Sequence, residues 1–256
     1  MDRQYYKEYY ALERSHWWFL GRLIIIKNLI NKQILKTRPR NLKILNIGVA
    51  TGATSIMLKS FGDVTSVEYD NDCCEFLMEN AGIDAICASM TNLPFDNNSF
   101  DLVCAFDVVE HIEDDSKAIL ELKRVLKHQG SYFLTVPAFT FLWSHHDVVN
   151  HHFRRYSQSD LIQKLNQVKL EVSYKTFFCF FTFLPVATLR LLQRIFPRKT
   201  RTMGSGSDFE VMNSSKCANT FLLNIMKLEN FLLTLGIKFP FGVSFLVIGI
   251  SKNSSL

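Results

Sequence analysis

Two stretches of the sequence hold residue types at spacings that suit chemistry. The first is Asn46-Ile47-Gly48-Val49-Ala50-Thr51-Gly52, an apolar run passing into a glycine turn, with Glu68 further on. An acidic side chain at the end of the next strand, about 20 residues on, can accept hydrogen bonds from a ribose diol. A pyrophosphate-binding turn would carry a second glycine where Ala50 stands, and a third that is missing. No phosphate-cradling G-x-x-x-x-G-K-[ST] occurs either. The turn therefore suits a ligand with a ribose but no phosphates. The second stretch runs from Leu142 to Tyr156 and holds His145, His146, His151 and His152 beside Asp147. A neutral imidazole near pH 7 suits a base, and a neighbouring carboxylate can fix its tautomer. These groups could also hold a metal, but their spacing matches no tight ligand motif and no metal is expected.

The elements that must position these residues alternate. Apolar runs at Lys43–Ile47, Val64–Val67, Asp84–Cys87, Phe100–Phe106 and Gly130–Val136 read as strands. Helical patterns separate several of them, at Ala53–Phe61, Cys73–Ala81 and Asp115–Leu126. That alternation predicts an α/β fold with a parallel sheet covered on both faces. Before it, Tyr5–Lys36 reads as helical and Thr37–Arg40 as a basic, proline-containing connector. After it, Pro137–Tyr156 is a long connection, a length that is usually functional. Asp160–Val168 reads as a helix and Leu170–Phe178 as a sixth strand. Phe181–Phe196 and Ala218–Leu235 read as apolar helices, and Phe245–Ser251 as a seventh strand. Gly204-Ser205-Gly206-Ser207 is the expected mobile loop.

The chain resembles the class I S-adenosylmethionine-dependent methyltransferases, through several motifs in order. Asn46–Gly52 looks like the glycine motif, and Glu68 like the ribose-binding acid. Ser89–Phe95 with Asn98–Val103 looks like the adenine-side loop and fourth strand. Val109–Asp114 and Arg124–Gly130 look like the segments after that strand and before the fifth. Asn46, Ala50 and Ser89 depart from the pattern, standing for an acid, a glycine and an aspartate. The segment Glu13-x-x-His16-Trp17-Trp18-Phe19-x-x-Arg22 resembles the N-terminal signature of a bacterial subgroup.

The resemblance implies a doubly wound, Rossmann-like, seven-stranded mostly parallel sheet with the seventh strand antiparallel. It adds an N-terminal helical lid over 1–37, a methyltransferase domain over 38–256, and an apolar helical insertion over 181–240. It implies S-adenosylmethionine as cofactor, bound by Gly48, Ala50, Gly52, Glu68, Tyr69, Ser89, Met90 and Phe106. Trp18 and Arg22 share a helix face; they would cover the sulfonium and pair with the methionine carboxylate, or the helix simply docks its aromatics on the core. In the same subgroup a stretch like Ser144–Tyr156 recurs, so His146, Asp147, His152, Arg154, Arg155 and Tyr156 carry over. Methyl transfer to a hydroxyl needs alignment and a base. His146 is the expected base, with Asp147 or His152 in support. Arg155 and Tyr156 position the acceptor or anchor the loop. The expected reaction is O-methylation of a small, glycan-like or lipid-linked acceptor. The alternatives are nitrogen or carbon methylation of a small metabolite, or a non-catalytic S-adenosylmethionine-binding protein.

Composition bounds the rest. The 256 residues are 48% apolar and 21% charged, which excludes a disordered chain. A net charge of +5, with no concentrated basic face, argues against nucleic acid. Six cysteines without a C-x-x-C pair, and no apolar leader, point to a reducing cytoplasm. The 22 phenylalanines crowd around Phe177–Phe196 and on to Phe241. With Arg198, Lys199 and Arg201 beside them, 177–236 suit a peripheral contact on the inner membrane face, or an ordinary cover for strands six and seven. The run is too short and too interrupted to span a bilayer, and mean hydropathy is only +0.06.

Overall fold

The computed structural model describes residues 3–36, 41–195 and 215–252. The connector Thr37–Arg40, the Gly204–Ser207 loop and the basic residues Arg198, Lys199 and Arg201 lie outside the described residues. Seven strands form one sheet: β1 Leu42–Ile47, β2 Gly62–Glu68, β3 Ala85–Cys87, β4 Phe100–Phe106, β5 Leu126–Pro137, β6 Leu170–Phe178 and β7 Ser244–Ser251. Their order is β3-β2-β1-β4-β5-β7-β6. Neighbours from β3 through β5 run parallel, and β7 is antiparallel to both β5 and β6. Leu45, Leu102, Val103, Leu134, Leu246 and Val247 are fully buried. Strands covered on both faces need such unbroken apolar runs, which is why they were visible in the sequence.

The helices are α1 Arg3–Ser15, α2 Trp17–Leu29, α3 Ala53–Leu58, α4 Asn71–Ala81, α5 Asp115–Val125, α6 His145–Val149, α7 Gln158–Gln167, α8 Phe183–Ile195 and α9 Lys216–Thr234. Side-chain caps fix several starts: Asp70 accepts from Asp72 and Cys73 N–H at α4, and Ser157 from Asp160 N–H at α7. Two expectations are corrected. The N-terminal helix is not continuous, because His16 adopts an extended conformation (φ −79°, ψ 136°) and its side chain accepts from Trp18 N–H. The chain restarts there as α2 and ends in one π turn, Ile30–Ile34. The Pro137–Tyr156 connection is not featureless. It holds a 3₁₀ turn, Thr140–Leu142, and the short helix α6, which Ser144 and Asp147 start with a reciprocal capping box.

A helix early in the chain meets one late in it. Helix α9 lies along α2, and Gly21 is the point of closest approach: a β-carbon there would stand 2.6 Å from Met226 Cβ. Asn219 ties the crossing, accepting from Trp17 N–H at 2.8 Å and donating to Ser15 O at 3.0 Å. Asn28 donates to Asn230 at 3.0 Å. The phenylalanine excess is also local. Phe139, Phe177, Phe180, Phe183, Phe239, Phe241 and Phe245 form a chain of ring contacts at the outer ends of β6 and β7.

Candidate functional site

One cavity of about 840 Å³ opens at the carboxyl ends of β1, β2, β4 and β5. It lies near the top of the roughly 300–1,000 Å³ range of small-molecule sites. The first wall is the glycine turn after β1. Gly48 takes φ +66°, a left-handed conformation that disfavours a side chain, and a β-carbon there would meet Val108 Cγ2 at 2.4 Å. Ala50 follows at φ +47°, its N–H donating to Glu68 Oε2 at 2.9 Å. Glu68 Oε1 accepts from Tyr69 N–H at 2.8 Å. Desolvation raises the Glu68 pKa, while these backbone donors oppose the rise. Oε1 also accepts from Asp70 N–H at 3.4 Å, whereas Oε2, with one donor, keeps a lone pair to offer a diol.

The N-terminal helices close this wall. Glu13 of α1 is buried, accepts from Thr51 Oγ1, and also accepts from Ala53 N–H at 3.3 Å. Burial pushes its carboxyl pKa up. Arg14 donates to Thr51 O at 3.2 Å. Arg22 of α2 lies 4.8 Å from the Trp18 ring centroid and forms an ion pair with Asp107, directly after β4. Asn46, below the turn, donates to Thr54 and Ser55 at 2.9 Å each and does not line the cavity. Ser89, Met90 and Phe106 complete the wall.

The opposite wall comes from the connection after β5 and from α8. Asp147 is fully buried at its centre. It accepts from His152 Nδ1 at 2.9 Å, Arg155 Nε at 2.7 Å and Ser144 N–H at 2.8 Å. Burial opposes its ionisation, but His152 and Arg155 hold its carboxyl well below the usual range. His146 faces the cavity, its ring 6.2 Å from that of His152 and beside the Asn150 amide. Thr182, Val186, Leu189, Arg190 and Gln193 bring the start and body of α8 into the wall.

Between the walls lies the 3₁₀ turn Val109–His111. Glu110 is fully buried, and neither carboxylate oxygen has a hydrogen-bond partner among the described residues. Desolvation and the nearby Asp107 push its pKa well above the ordinary value. Desolvation and the adjacent His152 push His111 down to about 4.

The cavity brings together Trp18, Arg22, Gly48, Ala50, Glu68, Tyr69, Ser89, Met90, Phe106, His146, His152 and Arg155. Gly52, Asp147 and Tyr156 stand outside its lining. Gly52 shapes the turn from below, against Ile83 and Leu77. Tyr156 is buried, and its hydroxyl donates to Asp115 at 2.8 Å, where Arg154 also pairs at 2.9 Å. Arg154, Arg155 and Tyr156 thus grip two buried carboxylates, the anchoring alternative of the sequence reading. Asp107, Glu110, Arg190 and Gln193 did not emerge as site residues from the sequence. Only the position of Asp107 and Glu110, just after a strand of the parallel sheet, could have signalled them.

Comparison with known proteins gives this arrangement a setting. Residues 45–134 match a family model described as a methyltransferase domain. Two uncharacterized proteins of Methanocaldococcus jannaschii are similar over shorter stretches. One is 33% identical over 119 residues, 46% of this chain and 55% of that protein. The other is 43% identical over 51 residues, 20% of this chain and 22% of that protein. The chain thus spans about half, or less, of the curated relatives it matches. Among solved structures, a S-adenosylmethionine-dependent methyltransferase from Thermotoga maritima superposes with a TM-score of 0.55. It is 17% identical, with 97% of this chain and 99% of that one covered. A phosphoethanolamine N-methyltransferase of Haemonchus contortus, in complex with S-adenosylmethionine, gives 0.55 at 16% identity over 89% of this chain and 52% of its own. The fold is that of the class I, Rossmann-like methyltransferases. The matched stretch takes in the glycine turn after β1, Glu68 and the 3₁₀ turn Val109–His111.

Proposed function

We propose that the whole chain transfers a methyl group from S-adenosylmethionine to an oxygen of a small, glycan-like or lipid-linked acceptor. The observation that carries this reading is one continuous cavity with a nucleoside-type wall at one end and a histidine–aspartate wall at the other. Glu68 takes the ribose diol. The Arg22–Asp107 pair offers both charges to an amino-acid zwitterion: the carboxylate meets the methionine ammonium, and the guanidinium its carboxylate. Trp18 gives the sulfonium an aromatic face. When bound, the cofactor supplies an electrophilic methyl carbon.

At the other end His146 takes the proton of the acceptor hydroxyl. The oxygen forms a bond to the methyl carbon, the carbon–sulfur bond breaks with its electrons passing to sulfur, and S-adenosylhomocysteine leaves. Asp147 and His152 support the base, and Arg155 holds Asp147. The lid over 1–37 and the insertion over 181–240 belong to the same reading. Exposed Leu184, Leu191 and Leu192 on α8 and Phe221 and Phe231 on α9, with Leu235 just after it, favour an acceptor carried at a lipid surface, reached by peripheral contact from the cytoplasmic side. No helix among the described residues is long and apolar enough to cross a membrane.

Calorimetry tests the first step: S-adenosylmethionine and S-adenosylhomocysteine bind with one site each, and absence of both signals removes the reading. With an acceptor in hand, His146→Ala lowers kcat about 10²–10⁴-fold at unchanged S-adenosylmethionine affinity. Full turnover of that variant moves the base elsewhere. Flotation with anionic liposomes carries the intact protein if the exposed helices meet lipid, and leaves it behind if they are only a cover.

A further inference from the structure

Among the described residues, Glu110 is fully buried with no hydrogen-bond partner at either carboxylate oxygen. A fully buried carboxylate ordinarily collects donors, because desolvation without a partner is expensive. Glu110 lines the cavity with His111, its neighbour on the same 3₁₀ turn, and with His152, from the connection after β5. The two imidazoles pack edge to face with centroids 4.5 Å apart. The two loops are joined by Phe153 N–H donating to Glu110 O at 2.8 Å. One ligand atom from each of Glu110, His111 and His152 lies within 4.8 Å of the others.

We infer that Glu110, His111 and His152 form a binding site for a divalent first-row transition metal ion at the centre of the cavity. Two imidazoles and a carboxylate suit zinc, manganese, iron or cobalt better than magnesium or calcium, which prefer all-oxygen shells. Ligand atoms sharing one ion at about 2.0–2.2 Å stand roughly 3–3.5 Å apart, so these three, all within 4.8 Å of one another, need only a small inward shift to share it. The outer support is already in place. Asp147 holds His152 by Nδ1, which leaves Nε2 as the coordinating nitrogen, and Arg155 and Ser144 fix Asp147 in turn. A cation also gives the Glu110 carboxylate the partner it otherwise lacks. Three protein ligands leave a coordination position towards the cavity, where an acceptor hydroxyl would be polarised. Only that consequence rests on the methyl-transfer reading; the site itself stands on the geometry.

The spacing rules of the sequence missed the triad because its members come from two loops far apart in the chain. The test is made without acceptor or S-adenosylmethionine, so it fails or succeeds separately from the proposed reaction. Chelator-treated full-length protein is titrated with Co²⁺, followed by d–d absorption, and then with Zn²⁺ in competition. One equivalent of Co²⁺ is expected to bind in the micromolar range or tighter. Glu110→Gln and His111→Ala each weaken it at least 100-fold, while His145→Ala, on the exposed side of α6, leaves it unchanged. Absence of stoichiometric binding overturns the site. So does retained affinity in either Glu110→Gln or His111→Ala, or a loss in His145→Ala as large as theirs.

Discussion

The two ends of the cavity are built by different means. The donor end is shaped by backbone: a left-handed glycine turn, main-chain donors to Glu68, and helices laid over them. The acceptor end is held by buried charge, with Asp147 gripped by His152 and Arg155, and Asp115 by Lys164, Arg154 and Tyr156. Turns made of backbone tolerate side-chain exchange if the dihedral angles survive. A buried charge network does not, since removing one member strands the others. The donor end is therefore generic, and the acceptor end is where this chain commits itself.

The sharpest way to break that contrast is Asp147→Ala. It leaves the Arg155 guanidinium buried without its carboxylate and should lower unfolding stability by about 3–5 kcal/mol, read by denaturant titration. A loss under 1 kcal/mol would show that the acceptor end does not depend on this charge. Next comes pH. Glu229 of α9 is buried, accepts from Phe180 N–H at 2.9 Å, and is pushed up from 4.5 to about 7, mainly by desolvation and against its backbone donors. The folded state therefore holds this proton more tightly than the unfolded one. Its contribution is complete below the unfolded value and is lost as pH rises towards 7, by roughly 3 kcal/mol at most. Thermal unfolding followed across that window should show the decline, and Glu229→Gln should flatten it.

At the donor end, Glu68→Ala should weaken S-adenosylhomocysteine by about 2 kcal/mol in calorimetry, with little change in unfolding midpoint. An equal loss of stability would make Glu68 a fold residue and erase the contrast. The smallest effect is expected at the helix crossing. Asn219→Ala removes the hydrogen bonds to Trp17 and Ser15 and should cost about 1 kcal/mol. Limited proteolysis should then cut α1 and α2 sooner than the sheet.

The sheet was legible because strands buried on both faces must be apolar without interruption, and their ends fell within a few residues of expectation. β5 began earlier than expected, at Leu126, and pairs with β4 through a register shift between Phe100 and Leu102, with Gln129 left-handed at φ +61°. The break at His16 was hidden because the apolar period runs on through it. Helix α6 was hidden by its length, although Ser144-x-x-Asp147 is a start signal that could have been read. What the sequence could not carry is long-range pairing. Arg22 with Asp107, Glu13 with Thr51 and Asn219 with Trp17 join residues 85, 38 and 202 positions apart. No local rule selects such partners. The same holds for Tyr156, whose place in a motif suggested the cavity and whose contacts turn it away.

Helix α9 is fastened twice: along α2, which walls the donor end, and through Glu229 to the turn that starts α8, which walls the acceptor end. Loosening this one helix would therefore disturb both walls of the cavity. On the proposed reading, a ligand that steadies one wall would steady the other through α9, so donor and acceptor should each raise the other's affinity without touching it.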